Sequence, residues 1–362
     1  MKKYWDLALG LGIVAMFFVA CSVPPSYKTY AFVTSANGIY AFSVNTDTGA
    51  LTEVSRSPFT DGADPSPIAF DPSGKFAYVA NNSSDSISIF TINAATGVLT
   101  ATTGSPFQLG HEIVSIRVHP SGNYVYAVNR YEAGAFPRTS VAAYTINATT
   151  GVINEIAGSP YFAGIYPVCI ALDPSGKFAY VTGIDDDVVY AFEINEATGA
   201  LTPIAGMPFL GVGSFLVAHP SGKFVYLISS AAIKAYMIDV STGALARSDS
   251  FPLEYVSTLA IDPSGRFAYV GSSVGILSVL AKIDADTGAL TAIASLPFDI
   301  NSWPRCIAIE PSGKFAYVIR DNAANISAFA IDPATGVLTE VAGSPFAVSD
   351  QARTMVIIRI AQ

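Results

Sequence analysis

Charged residues are scarce in this sequence. Asp, Glu, Lys and Arg make up 13% of 362 residues, and the 19 cations form no run beyond Lys2-Lys3. A nucleic-acid surface needs Lys and Arg clustered against phosphate, so no nucleic-acid partner is expected. The net charge of −9 mainly favours solubility. Histidine is limited to His111, His119 and His219, and cysteine to Cys21, Cys169 and Cys306. There is no CxxCH haem attachment, no HExxH and no Gly-Lys-Ser or Gly-Lys-Thr phosphate loop. No cofactor and no metal are therefore expected. Asp185-Asp186-Asp187 lacks the alternating oxygens and glycine spacing of a calcium loop and reads as a solvated acidic loop.

Against that scarcity stands a 51% apolar composition, which points to stacked sheets buried on both faces. At the N-terminus Lys2 and Lys3 precede an apolar run from Leu7 to Ala20 that is short for a bilayer span. This is the pattern of a secretory signal peptide, expected over residues 1–20. Phe18-Val19-Ala20-Cys21 resembles a bacterial lipobox, with Phe18 where Leu is usual; the other reading is an ordinary signal peptide with a chance cysteine. The resemblance implies lipidation of Cys21, a tether over residues 21–27 and an exported protein anchored to a bacterial membrane. Ser22 after the anchor resembles outer-membrane sorting if the host has two membranes. Cys169 and Cys306, in PVCIAL and PRCIAI, are expected as buried free thiols.

Periodicity organises the rest. Seven Thr-Gly pairs, Thr48-Gly49, Thr96-Gly97, Thr150-Gly151, Thr198-Gly199, Thr242-Gly243, Thr287-Gly288 and Thr335-Gly336, stand 44 to 54 residues apart. That period suits propeller blades. Pro-Ser-Gly recurs six times, ending at Gly74, Gly122, Gly176, Gly222, Gly265 and Gly313. Taking Ser66 to Phe107 as the model unit, PIAF is strand A, DPSGK a turn, FAYVAN strand B, SISIFTIN strand C, and Leu99 onward strand D. The first unit begins at its strand B, near Tyr30, while Met355 to Ile360 stands where a further strand A belongs. The expectation is an all-β, seven-bladed β-propeller over residues 28–362, four antiparallel strands per blade. Its ring closes by the C-terminal strand completing the N-terminal blade. His119 and His219 fall in HPSG turns where other units have Asp, and are expected to cap those turns.

These repeats resemble the seven-bladed lactonase-type propellers, a group that includes bacterial 6-phosphogluconolactonases and 3-carboxymuconate-lactonizing enzymes, and also the YVTN-type surface-protein propellers. The resemblance covers residues 28 to 360 and implies a site at the channel mouth. Five positions upstream of each A-to-B turn stand Ser66, Val114, Val168, Ser214, Ser257, Arg305 and Arg353. Trp303-Pro304-Arg305-Cys306 matches the Pro-Arg part of the family's Pro-Arg-His segment, so the resemblance implies that Arg305 binds carboxylate or phosphate. Asp321 stands where the family has an acidic residue. Cys306 replaces the family's His, and Val256-Ser257 stands where Pro-His would be, so two imidazoles for proton transfer are absent.

Arg305 and Arg353 are candidates to clamp an anion, or to pair with Asp321, Asp350 or Asp299 across neighbouring loops. His111 beside Glu112 is a candidate general base or a solvated loop residue. Two functions stay open. One is a lipid-anchored monomer that binds a protein, glycan or small acidic ligand; the other is a lactonase-like hydrolase or cycloisomerase using Arg305 with Asp321 or His111.

Overall fold

The alternation in Phe-Ala-Tyr-Val decides how the sheets stack. Residues i and i+2 of a strand share a face. The computed structural model describes residues 26–62, 64–109, 111–130, 139–183, 187–211, 213–272, 278–296, 303–321, 324–348 and 350–362. In it Phe76 and Tyr78 pack with Val125 and Ala127 of the following sheet. Ala77 and Val79 pack with Tyr30 and Phe32 of the preceding one. The bulky face of each strand B therefore meets the small face of the next. Phe315 and Tyr317 against Ala31 and Val33 repeat the exchange and bring the last blade onto the first.

Seven antiparallel sheets result. Their inner strands, blades 1 to 7, are Ala352–Ala361, Pro65–Phe70, Glu112–Val118, Pro167–Leu172, Phe215–Ala218, Val256–Ile261 and Pro304–Ile309. Blade 1 is shared between the chain ends as expected: Ala352–Ala361 pairs along Tyr27–Ser35, from Tyr27 opposite Ala361 to Ser35 opposite Ala352. Among the described residues no helix is long and apolar enough to cross a membrane. Cys169 and Cys306 are free thiols.

Strand D departs from the expected continuous run. In blade 2 it is split into Leu99–Ala101 and Phe107–Gln108, both paired with Ser86–Ile92. Between the pieces Ser105 Oγ accepts the Ile89 N–H at 2.8 Å, and Ser57, Ser159 and Ser344 do the same for Ala41, Ala143 and Ala328. Gly-Ser-Pro is therefore a break in the outer strand at which a hydroxyl replaces a backbone acceptor, satisfying a group that would otherwise be left open.

The recurring Tyr and Thr-Gly belong to one contact. Tyr78, Tyr126, Tyr180, Tyr226 and Tyr269 donate their hydroxyls at 2.8–3.0 Å to the carbonyls of Gly151, Gly199, Gly243, Gly288 and Gly336 in the next blade. Tyr317 donates at 2.9 Å to Gly49, across the point of closure. Burial holds these phenols well above the ordinary tyrosine range. The glycine is required twice over. At Gly151 φ is +75°, and a Cβ there would lie 2.5 Å from the Phe76 ring. Blade 1 differs: Phe32 has no hydroxyl, and Tyr30 donates to Ala94 O at 3.0 Å instead.

The A-to-B turns alternate. In blades 2, 4 and 6 the carboxylates of Asp71, Asp173 and Asp262 accept the N–H groups of Phe76, Phe178 and Phe267 at 2.5–2.7 Å and the N–H two residues on. In blades 3 and 5 the histidines take this place. Nδ1 of His119 and His219 accepts the N–H of Ser121 and Ser221, while Nε2–H donates to Gly176 O and Gly265 O of the next blade at 2.7 and 2.8 Å. Both rings are thereby fixed as turn caps and inter-blade stitches. Blade 7 uses Glu310, whose carboxylate accepts the N–H groups of Ser312 and Lys314.

The expected signal segment 1–20, Cys21, the loop after Arg130, Asp185, Asp186 and Asp299 lie outside the described residues. Because Ala352–Ala361 supplies the inner strand of blade 1, deleting residues 353–362 is expected to abolish the single cooperative thermal transition. An unchanged melting temperature in calorimetry would show that the ring does not depend on this strand.

Candidate functional site

A strand that pairs regularly sends its side chains alternately to its two faces, and both faces of a blade are covered by neighbours. Reaching the central channel requires a break in register. Each inner strand but one has such a break near its start, where Val114, Val168, Ser257, Arg305 and Arg353 are each skipped by the pairing. In blade 2 the skipped residues are Ser66 and Pro67. These are β-bulges, which re-aim a side chain at the cost of one ladder pair. In blade 5 the ladder begins at Phe215 opposite Ile228, and Ser214 N–H donates to the same Ile228 O just before it. The positions picked out five residues before each turn are thus almost the bulge set, and five of them, Ser66, Val114, Val168, Arg305 and Arg353, line a central cavity of about 940 Å³.

In blades 3, 4, 6 and 7 the residue after the bulge is spent on the neighbouring blade. Ser115 Oγ accepts Ile170 N–H and Thr258 Oγ1 accepts Ile307 N–H, while the thiols of Cys169 and Cys306 donate to Leu216 O and Met355 O at 3.8 Å. Burial pushes the Cys306 thiol pKa up. Where the family resemblance places an imidazole, this chain has an inert inter-blade contact.

Arg305 and Arg353 face one another at the mouth, in a pocket of about 260 Å³ that also includes Ser66, Asn82, Asp350 and Gln351. Arg305 Nη1 lies 3.2 Å from Asp321 Oδ1. Arg353 Nη1 bonds Asp64 Oδ1, a residue of the next blade held at φ +63° just before the inner strand. Among the described residues the partner of Arg353 is therefore Asp64 rather than Asp321 or Asp350. Sequence reading missed Asp64 because the two are 289 residues apart, and only closure of the ring sets blade 1 beside blade 2. Asn82, with its amide NH₂ turned to Ser66 O at 2.7 Å and Ile113 O at 3.1 Å, ties this corner to blade 3. Arg117, also unanticipated, lines the wider cavity deeper in the channel. Among the described residues no group of three His, Cys, Asp or Glu is placed to hold a metal.

His111 does not join this cluster, since neither cavity includes it. It sits half-buried before strand A of blade 3. Burial holds its pKa below the usual imidazole range, against a hydrogen bond to the Asn129 side chain and the nearby charges of Asp85 and Glu155 that act the other way. A depressed pKa means that the unfolded chain binds the proton more tightly, so the native state loses stability as pH falls through about 6.5 and is unaffected above it. The His111→Gln variant is expected to melt less steeply lower than wild type between pH 7 and pH 5. Parallel curves in pH-dependent thermal melts would remove the assignment.

One string, Gly271-Ser272-Ser273-Val274-Gly275, has the spacing of a nucleophile elbow. That motif needs a strand-to-helix turn, whereas Gly271 and Ser272 end a second strand, Phe267–Ser272, and Ser273 lies outside the described residues.

No curated protein matches the chain. Solved structures share the fold at low identity. A candidate 6-phosphogluconolactonase of Bacteroides uniformis is 18% identical with a TM-score of 0.77, covering 91% of this chain and 99% of its own. The periplasmic gluconolactonase PpgL of Pseudomonas aeruginosa is 17% identical with a TM-score of 0.73, covering 92% and 99%. A Lactobacillus plantarum protein is 19% identical with a TM-score of 0.73, covering 92% and 100%. The family model described as "Lactonase, 7-bladed beta-propeller" matches residues 26–114, 103–213 and 215–353, and the chain belongs to that family.

Proposed function

We propose that this chain is an exported, lipid-anchored propeller that binds a small carboxylate- or phosphate-bearing ligand at the mouth of its channel. The observation that carries the reading is that the bulges of two adjacent blades bring Arg305 and Arg353 into one polar pocket of about 260 Å³. That volume lies below the range usual for drug-sized ligands. Each guanidinium meets its aspartate through Nη1 only, and a guanidinium has five donors, so the rest of each fork is available to an incoming anion. The Arg305 side chain is 44% exposed and that of Asp321 33%. An ion pair so exposed is worth only about 0–1 kcal/mol, so a ligand carboxylate competes with it readily.

Arg305→Ala and Arg353→Ala are each expected to weaken binding of succinate or inorganic phosphate at least tenfold, read as the ligand-induced rise in melting temperature. That rise, and not the unliganded value, is the measure, because Arg353→Ala also strands Asp64. An equal rise in wild type and Arg305→Ala would overturn the reading.

Anchoring through Cys21 gives this site an orientation. Tyr27 opens strand B at the end of the ring that carries the A-to-B turns, opposite the mouth. The five residue-to-residue steps from Cys21 to Ser26 span at most about 18 Å. A lipid on Cys21 would thus hold the turn-bearing end to the membrane and the mouth away from it. Cys21→Ser is expected to move the protein from the membrane fraction to the soluble fraction; unchanged fractionation would remove the anchor.

A second reading is lactone hydrolysis, favoured by the names of its structural relatives, one of them a periplasmic gluconolactonase. Two imidazoles of the family pattern are missing here, and Cys306 is committed to Met355 O. A lactone panel turned over by wild type but not by Arg305→Ala would move the assignment to this reading.

A further inference from the structure

The mouth pocket holds more negative charge than its two arginines neutralise. Arg305 and Arg353 are already matched by Asp321 and Asp64, which lie beside the pocket, and Asp350 is a further carboxylate that lines the pocket itself. Its Oδ1 accepts the Gln351 N–H at 2.7 Å. Its Oδ2 is buried and accepts no hydrogen bond from any described residue. No cation among the described residues pairs with it. A partly desolvated carboxylate with one neutral hydrogen bond is a poor arrangement for stability alone, because the lost hydration is not returned by a partner. Such an arrangement is tolerated where a ligand supplies the missing charge.

The sign of the imbalance restricts the ligand. A simple acid would bring a negative charge into a pocket already carrying one in excess. An ammonium group on the same small molecule reverses that penalty, because its attraction to Asp350 adds to the attraction of its carboxylate to the guanidinium forks. A hydroxyl gives Asp350 a donor without a charge and leaves the imbalance in place.

We infer that the mouth pocket is built for a small zwitterion, an amino acid or similar ammonium carboxylate, with its carboxylate at Arg305 and Arg353 and its ammonium at Asp350. This rests on the acid-binding reading above and narrows it: Asp350 sets specificity, and the arginines hold the part that all small acids share.

The test is binding by the soluble protein that starts after Cys21, measured by calorimetry and by thermal shift. The probes are matched pairs, alanine with propionate and 4-aminobutyrate with butyrate, and lactate as the hydroxylated counterpart of alanine. At least one amino compound is expected to bind ten times or more tightly than its partner without nitrogen, and alanine more tightly than lactate. Asp350→Asn is expected to erase that preference, to retain binding of propionate or butyrate, and to leave the unliganded melting temperature unchanged or higher. Equal affinity within both pairs, or lactate equal to alanine, would overturn the zwitterion while leaving acid binding intact. Failure of every probe to bind wild type would overturn acid binding and the zwitterion with it. A fall in unliganded melting temperature in Asp350→Asn would show that the carboxylate serves the fold instead.

Discussion

Everything in this ring depends on a hydroxyl crossing from one blade to the next. A tyrosine in the second strand donates to the carbonyl of a glycine in the neighbouring Thr-Gly turn, and the contact is made six times, once across the closure. Each such bond is worth about 1 kcal/mol net, but leaving the buried carbonyl without it would cost about 1–3 kcal/mol. The contact also sets spacing. The bare Cα of the glycine lies against the preceding blade's aromatic ring, so blade separation is fixed by a position where no side chain fits. A channel of constant width follows, and with it a fixed radius at which bulge residues meet.

The repeat that makes the fold legible is silent about the site for the same reason. Phe-Ala-Tyr-Val, Pro-Ser-Gly and Thr-Gly are packing and turn residues, and their periodicity is enough to count blades, order strands and place the terminal strand in blade 1. Arg305 and Arg353 could be picked out by their offset from the turn, because the bulge keeps a constant distance from it. The physical cause of their inward direction, a skipped pair in the ladder, is not written in residue type. Asp64 and Asn82 enter only when blade 2 is set beside blade 1. His111 read in the sequence as a candidate general base or a solvated loop residue, and its loop carries it into a half-buried niche of blade 3.

Family membership and catalytic equipment separate in this chain. The scaffold is complete, while a position where the family resemblance calls for an imidazole holds a cysteine that hydrogen-bonds the next inner strand, as Cys169 does three blades earlier. The two thiols show that this position has a structural use open to any blade. Loss of a proton-transfer group here therefore costs the ring nothing in stability. What the mouth holds is two guanidiniums, each already paired with an aspartate, around a pocket of about 260 Å³.

The A-to-B turns add a rule of parity. Aspartate caps in blades 2, 4 and 6 alternate with histidine caps in blades 3 and 5, and only the histidines reach across to the following blade. A two-valued pattern cannot run unbroken around an odd-numbered circle, so somewhere two like members must meet or a third kind must intervene. In this protein the exception falls at the seam: blade 7 carries Glu310, and blade 1, assembled from both ends of the chain, has no such turn at all. The odd count and the open chain thus share one defect. The ring breaks its symmetry beside the pocket lined by Arg305, Asp350 and Arg353, so the one place where the repeat fails is also the one place where two guanidiniums share a cavity among the described residues.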